Sequence, residues 1–581
     1  MRYYWLGSLL ASLTSACSTA SPERVQETTP IHIRWANDPV ALDPLAIPNQ
    51  NASDAASLLH LGLLQVDYQA NVYAPALAER LPGVQLIGDS LMRLDYQLRP
   101  AATWDDGRPV LATDVDFTLK LIQCPGLPYE VARTQFSFIR QLLPDPTNPR
   151  HFTLVCRGQG RELINTSGDF PILPENALDA QHTLRPLPLA MLQGWHPDKA
   201  PPAVVAALVS RYKQANSARY PSHLPGCGPY RLAEWVHNRH LLFQRKAHWW
   251  ADDLRPAPFV LQARAQLLDY IIMPDDAAAV LALRRRELDV FPRMPASLFQ
   301  RLQTSAAARK ELAFYTNPSY DLISVGFNTR RALLNNKLTR QALGRLLDPA
   351  GLLTATQLGQ GSLTVGLVPP DSQFYNDSLP ALAYDPTQTL ALLHQAGWQK
   401  QSNGSWYHSI IAQPLALTLR YRSDESAFAT IALQFQAAAA KLGIPVKVLP
   451  LEASALTVAL KAGDFDMYIR TIKGTPFGFN FSPLLHTNAI GMDNFTGFGR
   501  PATDQLLEDI SIEGNLPRKR RLLRHFQVLI REEMPLVPLF YLANRLSASR
   551  QLRPIIASGL KPGYASGALS WASGSANVAI P

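Results

Sequence analysis

The sequence predicts an α/β protein, and three observations carry that reading. Residues 93–99 alternate apolar Leu94, Tyr96 and Leu98 with polar Arg93, Asp95, Gln97 and Arg99, the period of a half-buried strand, and a turn and an amphipathic helix follow at once. Residues 385–469 run helix, strand, helix, strand, short helix, strand, which argues for a sheet with helices on its faces. The 47 prolines among 581 residues favour many stiff connections between short elements over a helical bundle.

Taken in order, Ile31–Trp35 reads as the first strand, Leu42-Asp43-Pro44 as a loop and residues 51–64 as a helix. After the strand at 93–99, Asp105-Asp106-Gly107-Arg108 supplies turn chemistry, with a glycine available for positive φ and carboxylates that can bond nearby amides. Thr113 is placed to cap a helix starting at Asp114, with Asp116 reaching back three residues on, and Val115, Thr118, Leu119 and Ile122 form its apolar face. By itself this strand, turn and capped helix is scaffold. Residues 151–220 are less patterned, with a helix at 202–216, and a further helix spans 276–287. Asp385 caps a helix that has Pro386 in its first turn and Gly397 past its end; strands at 415–421, 446–451 and 465–469 flank a helix at 425–442 that Gly443 stops. Residues 534–550 read as a strand returning to the first part of the chain.

Composition narrows the function classes. Hydrophobic residues make up 47%, ample for a sizeable core, while charged residues are only 17% with a net charge of +9, without the dense basic stripe of a nucleic-acid binder. The one tight basic run, PRKRR ending at Arg521, reads as a solvated helix start. Residues 1–17, MRYYWLGSLLASLTSAC, place Arg2 ahead of an apolar run and small residues before Cys17, the layout of an export signal too short to span a bilayer. Ser15-Ala16-Cys17 resembles a lipoprotein processing site, which makes Cys17 the acylated first residue of the mature chain. Of the remaining cysteines, Cys124, Cys156 and Cys227, one or all must be free; Cys124 and Cys156 share a segment and form the expected disulfide. The lack of Cys-x-x-Cys spacing argues against structural zinc. Nor does the chain contain G-x-S-x-G, H-E-x-x-H or G-x-x-x-x-G-K-(S/T). His237, His240 and His248 cluster across a hairpin and read as surface rather than metal ligands; no cofactor is called for.

The segment LRPAATWDDGRPVLATDVDFTL resembles the signature of the peptide and nickel class, family 5, of extracellular solute-binding proteins, the receptors of ATP-binding-cassette (ABC) importers. Tyr96, Leu98, Arg99, Trp104, Asp106, Gly107, Pro109, Val110, Ala112, Asp114, Val115, Phe117 and Thr118 fill its places. Leu42-Asp43-Pro44, Gly62-Leu63-Leu64 and Pro75-Ala76-Leu77-Ala78-Glu79 resemble the family's N-terminal block. Gly226, Gly228, Pro229, Tyr230 and Trp235 match its G-(T/S)-G-P-Y-x-(L/F)-x-x-W block, with Cys227 in place of the small hydroxyl residue. Phe327, Asn328, Arg340, Gln341, Ala342, Leu343 and Asp348 match the passage into a second lobe, and MPLVPLFY from Met534 matches the return strand.

The resemblance implies a bilobal periplasmic-binding-protein-like fold of cluster-C type with a two-crossing hinge. Residues 1–16 are then a signal peptide, 17–30 a lipid-anchored spacer, 31–60 with 185–316 and 535–581 the first lobe, 61–184 its extra subdomain, and 317–534 the second lobe. It implies capture, without catalysis, of a peptide or other small solute by a monomer held to the membrane by its lipid anchor, on the periplasmic or outer side, and delivery to ABC permease subunits. A sensor or interaction lipoprotein on the same fold is the alternative, and a hydrolase a third. The ligand-contacting positions it implies are Asn49, Tyr320, Arg470, Thr471, Ile472, Lys473, Thr475 and Phe477. In the family the segment after the strand at 465–469 commonly reads G-W-x-x-D-(Y/x)-x-D-P, and the first Asp can pair with a peptide's α-amine. Thr475 and Gly478 stand at those two Asp places here. Capture of a free peptide N-terminus by this route is therefore not expected, because an ammonium buried without its anion is costly. Arg470 and Lys473 are left either to meet an anionic group or to serve as surface charge.

Overall fold

In the computed structural model, residues 29–46, 49–195, 200–217 and 224–572 are described. Cys17 and the expected export signal lie outside them. An 11-stranded mixed sheet runs through the molecule in the order Val446–Leu451, Leu417–Arg422, Met467–Ile472, Leu312–Phe327, Leu536–Ser549, Val290–Phe291, Ile31–Trp35, Leu267–Ile272, His240–Arg245 and Tyr230–Val236, with Gly361–Leu363 paired beside Leu536–Ser549. Four further strands, Gly83–Ile87, Leu91–Gln97, His151–Arg157 and Ile139–Pro144, form a separate antiparallel sheet.

The two longest strands tie the halves together. Leu312–Phe327 and Leu536–Ser549 pair antiparallel from Leu312 opposite Ser549 to Gly326 opposite Leu536. Each has one end in the core of either half: Leu312, Leu546 and Ala548 pack with residues of the first part of the chain, Val325, Phe327, Val537 and Leu539 with those of the second. Register is lost between Pro318 and Leu322, because Pro318 faces Ala543 and Leu322 already faces Tyr541. Ser319, Tyr320 and Asp321 stand against the single Leu542 and form a bulge where the chain passes between halves, beside a proline that has no N–H to give the ladder.

The first half carries a second core under the four-stranded sheet, built mostly from residues between Leu61 and Cys227 and joined by Leu45, Trp249, Ala251 and Leu261. Leu189, Leu192, Val205, Leu208 and Tyr212 share that core, so the segment after residue 184 packs with the subdomain that precedes it. Its chain enters and leaves through one neck. The Gly228 N–H donates to the Leu59 carbonyl at 2.9 Å, the Leu61 N–H to Cys227 Sγ at 3.3 Å, and Gly228 lies so close to Leu58 and Leu59 that a Cβ would meet backbone.

The signature segment turns out to be bracing. Leu91–Gln97 is the strand and Gly107, at φ +82°, the turn. The helix is Ala112–Gln123, beginning two residues before the expected Asp114. The carboxylate that reaches back is Asp114, not Asp116: Asp114 accepts from Leu111 N–H at 2.9 Å, Glu175 N–H at 2.9 Å and Trp104 Nε1 at 3.3 Å. Asp116 instead pairs with Lys120 at 2.6 Å, and Thr113 caps nothing. The second corrected expectation is the disulfide. Cys124, Cys156 and Cys227 are all buried free thiols, Cys124 at the end of that helix and Cys156 on the strand opposite Met92. Burial pushes each thiol up to about 12. No helix among the described residues is long and apolar enough to cross a membrane.

Candidate functional site

The gap between the halves is lined from both sides at the bulge. From the second half, the Met467–Ile472 strand delivers Lys473 and Gly474 directly onto it; Gly474 has no room for a Cβ because the Tyr320 carbonyl abuts it. From the first half, the C-terminal segment brings Gly559 against the Pro318 carbonyl and Lys561 onto Asp321, with Nζ and Oδ1 at 2.7 Å. Tyr320 points its hydroxyl at Asp371, 3.4 Å away.

Of the expected ligand positions, Tyr320, Lys473, Thr475 and Phe477 come together here. Thr475 Oγ1 accepts from Phe477 N–H at 3.2 Å, a local turn that aims Phe477 across the gap, where its ring meets Tyr73 at 4.7 Å. The others are used elsewhere. Asn49 caps the Gln50–Leu59 helix, its Oδ1 accepting from Ala52 N–H at 2.9 Å, and its Nδ2 donates to the Asp38 carbonyl. Arg470 pairs with Asp493 at 3.2 Å and covers the Phe495 ring, while Ile472 is buried with Leu322, Phe374 and Tyr541. Thr471 sits mid-strand opposite Ile323. His237 pairs with Asp38, and His240 with Asp269 and Glu234.

Several residues at the gap carried no local sequence signal. Asp54, on the Gln50–Leu59 helix, is buried, accepts from Gln50 Nε2 at 2.8 Å, and is pushed up to about 6 by desolvation, which Gln50 and the charges of Arg293 and Lys561 only partly offset. The Tyr68 hydroxyl donates to the Lys561 carbonyl at 2.8 Å, and Tyr73 donates to Asp169, whose carboxyl burial raises. Arg293, in the left-handed region at φ +55°, is held between Pro292 and Met294, and Met294 exchanges hydrogen bonds with Arg545 of the crossing strand at 2.9 and 3.1 Å. Aromatic faces with a few fixed polar groups thus line the gap between the two halves, the composition of a small-molecule site.

The halves also touch at a rim beyond the cleft. Gln159 N–H donates to the Ile512 carbonyl at 3.1 Å, and Glu162, on the Arg161–Thr166 helix, pairs with Lys519, on the Leu516–Glu533 helix. The Lys519 side chain is 3% exposed, and burial lowers its ammonium to about 8.

Residues 73–489 match the model for bacterial extracellular solute-binding proteins, family 5. The chain belongs to that family. This solute-binding protein is 21% identical to the oligopeptide-binding protein AppA of Bacillus subtilis over 558 residues, covering 94% of this chain and 93% of AppA. It is 24% identical to the periplasmic murein peptide-binding protein MppA of Escherichia coli over 559 residues, covering 92% of this chain and 91% of MppA. The solved structure of B. subtilis AppA in complex with a nonapeptide superposes with a TM-score of 0.73 at 19% identity, over 94% of this chain and 99% of that one. The fold of the solute-binding protein is thus the mixed α/β, bilobal periplasmic-binding fold, and its lobes are the halves described above.

Proposed function

We propose that the protein is the substrate-binding lipoprotein of an ABC importer, anchored through Cys17, which takes a peptide or similar small solute between its lobes and hands it to the permease without chemical change. The division we propose is the expected one with one boundary moved: the extra subdomain runs on from 61–184 to about residue 227, because Leu189 to Tyr212 pack in its core, leaving 31–60, 228–316 and 535–581 to the first lobe and 317–534 to the second. The observation that carries this reading is the pair of adjacent crossing strands with a bulge at their midpoint, onto which residues from both lobes converge. A ligand touching both sides gains contacts only when the lobes close, and that difference in affinity is what drives closure. The peptide-binding relatives support the solute class.

The test is to purify the exported chain without denaturation, release what it retains and identify it by mass spectrometry, then return the solute to stripped protein under small-angle scattering. One solute per chain and a smaller radius of gyration on adding it back are expected. A chain that retains nothing, and that neither binds nor compacts with any member of a di- to nonapeptide set, would refute the proposal.

A further inference from the structure

The crossing strands have outer ends, away from the bulge. Leu312 begins one and Ser549 ends the other, each six residues, or about 20 Å, from the Pro318–Ala543 pair beside the cleft. There a cavity of about 220 Å³ opens on the first lobe. Its floor is apolar, with Leu283, Leu288 and Leu312 buried. Its rim carries three exposed cations from three segments, Arg286, Lys310 and Arg550, against one carboxylate, Glu311. Arg286 has left the Asp276–Arg284 helix and stands in the left-handed region at φ +62°, with Nη2 at 3.2 Å from Glu311 Oε1. Arg550 Nε donates to the Arg309 carbonyl at 2.9 Å, and neither Arg550 nor Lys310 has a carboxylate within ion-pair distance among the described residues. A lysine in the last turn of a helix, as Lys310 is, complements the helix dipole, but Arg550 follows a strand and has no such partner. Backbone bonds fix the walls: Arg550 N–H donates to the Glu311 carbonyl and Ser549 N–H to the Asp289 carbonyl, both at 2.8 Å.

The position of the cavity on the lobe points to its ligand. Val290 pairs parallel with Ile33 and antiparallel with Ala548, so Leu288 and Arg550 lie level with Ile31, at the end of the main sheet where its first strand begins. Next to the cavity, Gln551 accepts from Ala572 N–H at 2.8 Å, and the neighbouring Trp571 donates from Nε1 to the Thr29 carbonyl at 3.1 Å. The cavity and the entry of the chain from the expected lipid-anchored spacer thus share one end of the first lobe. Twelve residues separate Thr29 from Cys17, a reach of about 40 Å at most. We infer that the cavity seats the phosphate of an anionic lipid headgroup, with Arg550 and Lys310 meeting its oxygens and the leucine floor taking the adjoining methylenes, so that the first lobe rests on the membrane carrying the anchor. This goes beyond solute capture and rests only on the anchor reading. A guanidinium supplies a planar fork for two phosphate oxygens and an ammonium a point charge, and two basic groups at an anionic surface change partition by about 30-fold. A free phosphate or phosphomonoester presents the same oxygens.

The test is sedimentation of the exported full chain carrying Cys17→Ala, which removes any acyl contribution, with vesicles of phosphatidylcholine alone and of equimolar phosphatidylcholine and phosphatidylglycerol, beside calorimetry with inorganic phosphate and glycerol phosphate. This chain is compared with the double variant Lys310→Gln, Arg550→Gln, with the charge-keeping Arg550→Lys, and with Arg520→Gln, Arg521→Gln, which removes two charges from the exposed start of the Leu516–Glu533 helix on the other lobe; each is checked for an unchanged melting midpoint. We expect the cavity double variant to lower partition onto the phosphatidylglycerol vesicles at least tenfold, and Arg550→Lys and the helix double variant less than threefold. Glycerol phosphate or phosphate bound only where Arg550 and Lys310 are present, with the vesicles unbound, keeps the anion site and removes the lipid as its source. Equal losses in the two double variants, equal partition onto both kinds of vesicle, or binding of no probe overturns the seat. A lone headgroup contact is weak and reversible, so the unacylated chain still leaves the membrane on washing. The anchor reading is decided separately, by fractionating cells that make the acylated and Cys17→Ala chains, and solute capture by what the chain retains.

Discussion

Asp54→Asn should make the protein more stable at neutral pH, although it deletes a charge that faces two cations. The Asp54 carboxyl is buried, and its pKa is raised from the ordinary 3.8 to about 6 with the fields of Arg293 and Lys561 included. Between those values the native state holds a proton that the unfolded chain has lost, so the contribution of this group to stability falls as pH rises from about 4 to 6 and is flat above. Ionised, the carboxylate costs the native state about 3 kcal/mol at pH 7.5, and about 1 kcal/mol at pH 4.5. Asparagine keeps an oxygen for Gln50 Nε2 and removes the ionisation. With an unfolding entropy near 1.2 kcal/mol per degree for a chain of this size, the melting midpoint should rise by about 2.5 °C at pH 7.5 and by less than 1 °C at pH 4.5. Differential scanning calorimetry across that range reads both. A variant that melts lower at pH 7.5, or whose gain does not shrink on acidification, would refute the argument.

Glu162→Gln leaves the Lys519 ammonium buried without its anion in the closed form, at a cost of about 3–5 kcal/mol, and should enlarge the unliganded radius of gyration in small-angle scattering; an unchanged radius counts against the rim as a latch. Arg340→Met should lower stability by about 3 kcal/mol in urea titration. Its buried guanidinium donates to the carbonyls of Leu334, Asn335, Glu533 and Met534, tying the end of the Leu516–Glu533 helix to the segment that leads into the Lys337–Gly344 helix, so a loss under 1 kcal/mol would contradict that role. Cys17→Ala should yield exported protein in the soluble fraction after cell fractionation, whereas membrane retention would remove the lipoprotein reading.

What the sequence made legible was local. Ile31–Trp35 and Val446–Leu451 stand where the sequence reading places them, and Asp385 caps its helix by accepting from Gln388 N–H at 2.8 Å. Motif matching reached the family through residues such as Trp104, Asp114 and Gly228, whose observed contacts brace the scaffold. The cleft was less legible. Lys561, Arg293 and Asp54 lie 88, 180 and 419 residues from Lys473 and share no period with it, so the sequence gives no sign of their place in the fold. Asn49 shows the converse: an asparagine just ahead of a helix is a capping residue on chemistry alone, and its side chain does bond the backbone there. The helix start misplaced at Asp114 mixes the two: its carboxylate reaches back to the Leu111 N–H three residues earlier, a local cap, but also accepts from Glu175, 61 positions away, which its neighbours cannot reveal.

The neck between Leu59 and Gly228 makes the extra subdomain a cassette in the polypeptide's itinerary. Everything between these two points departs and returns through a single doorway, and the strands on either side of it, Ile31–Trp35 and Tyr230–Val236, belong to the main sheet irrespective of what is threaded through. A length change inside the cassette therefore leaves the register of the main sheet untouched. Yet the cassette carries Tyr73, Gln159 and Glu162, the residues that reach across to Phe477, Ile512 and Lys519. Genetic drift or engineering can thus remodel the jaw that meets the opposite lobe, and with it the room left for a solute, without renegotiating the hinge. Exchanging this cassette between relatives, cut at Leu59 and Gly228, is the splice the architecture permits.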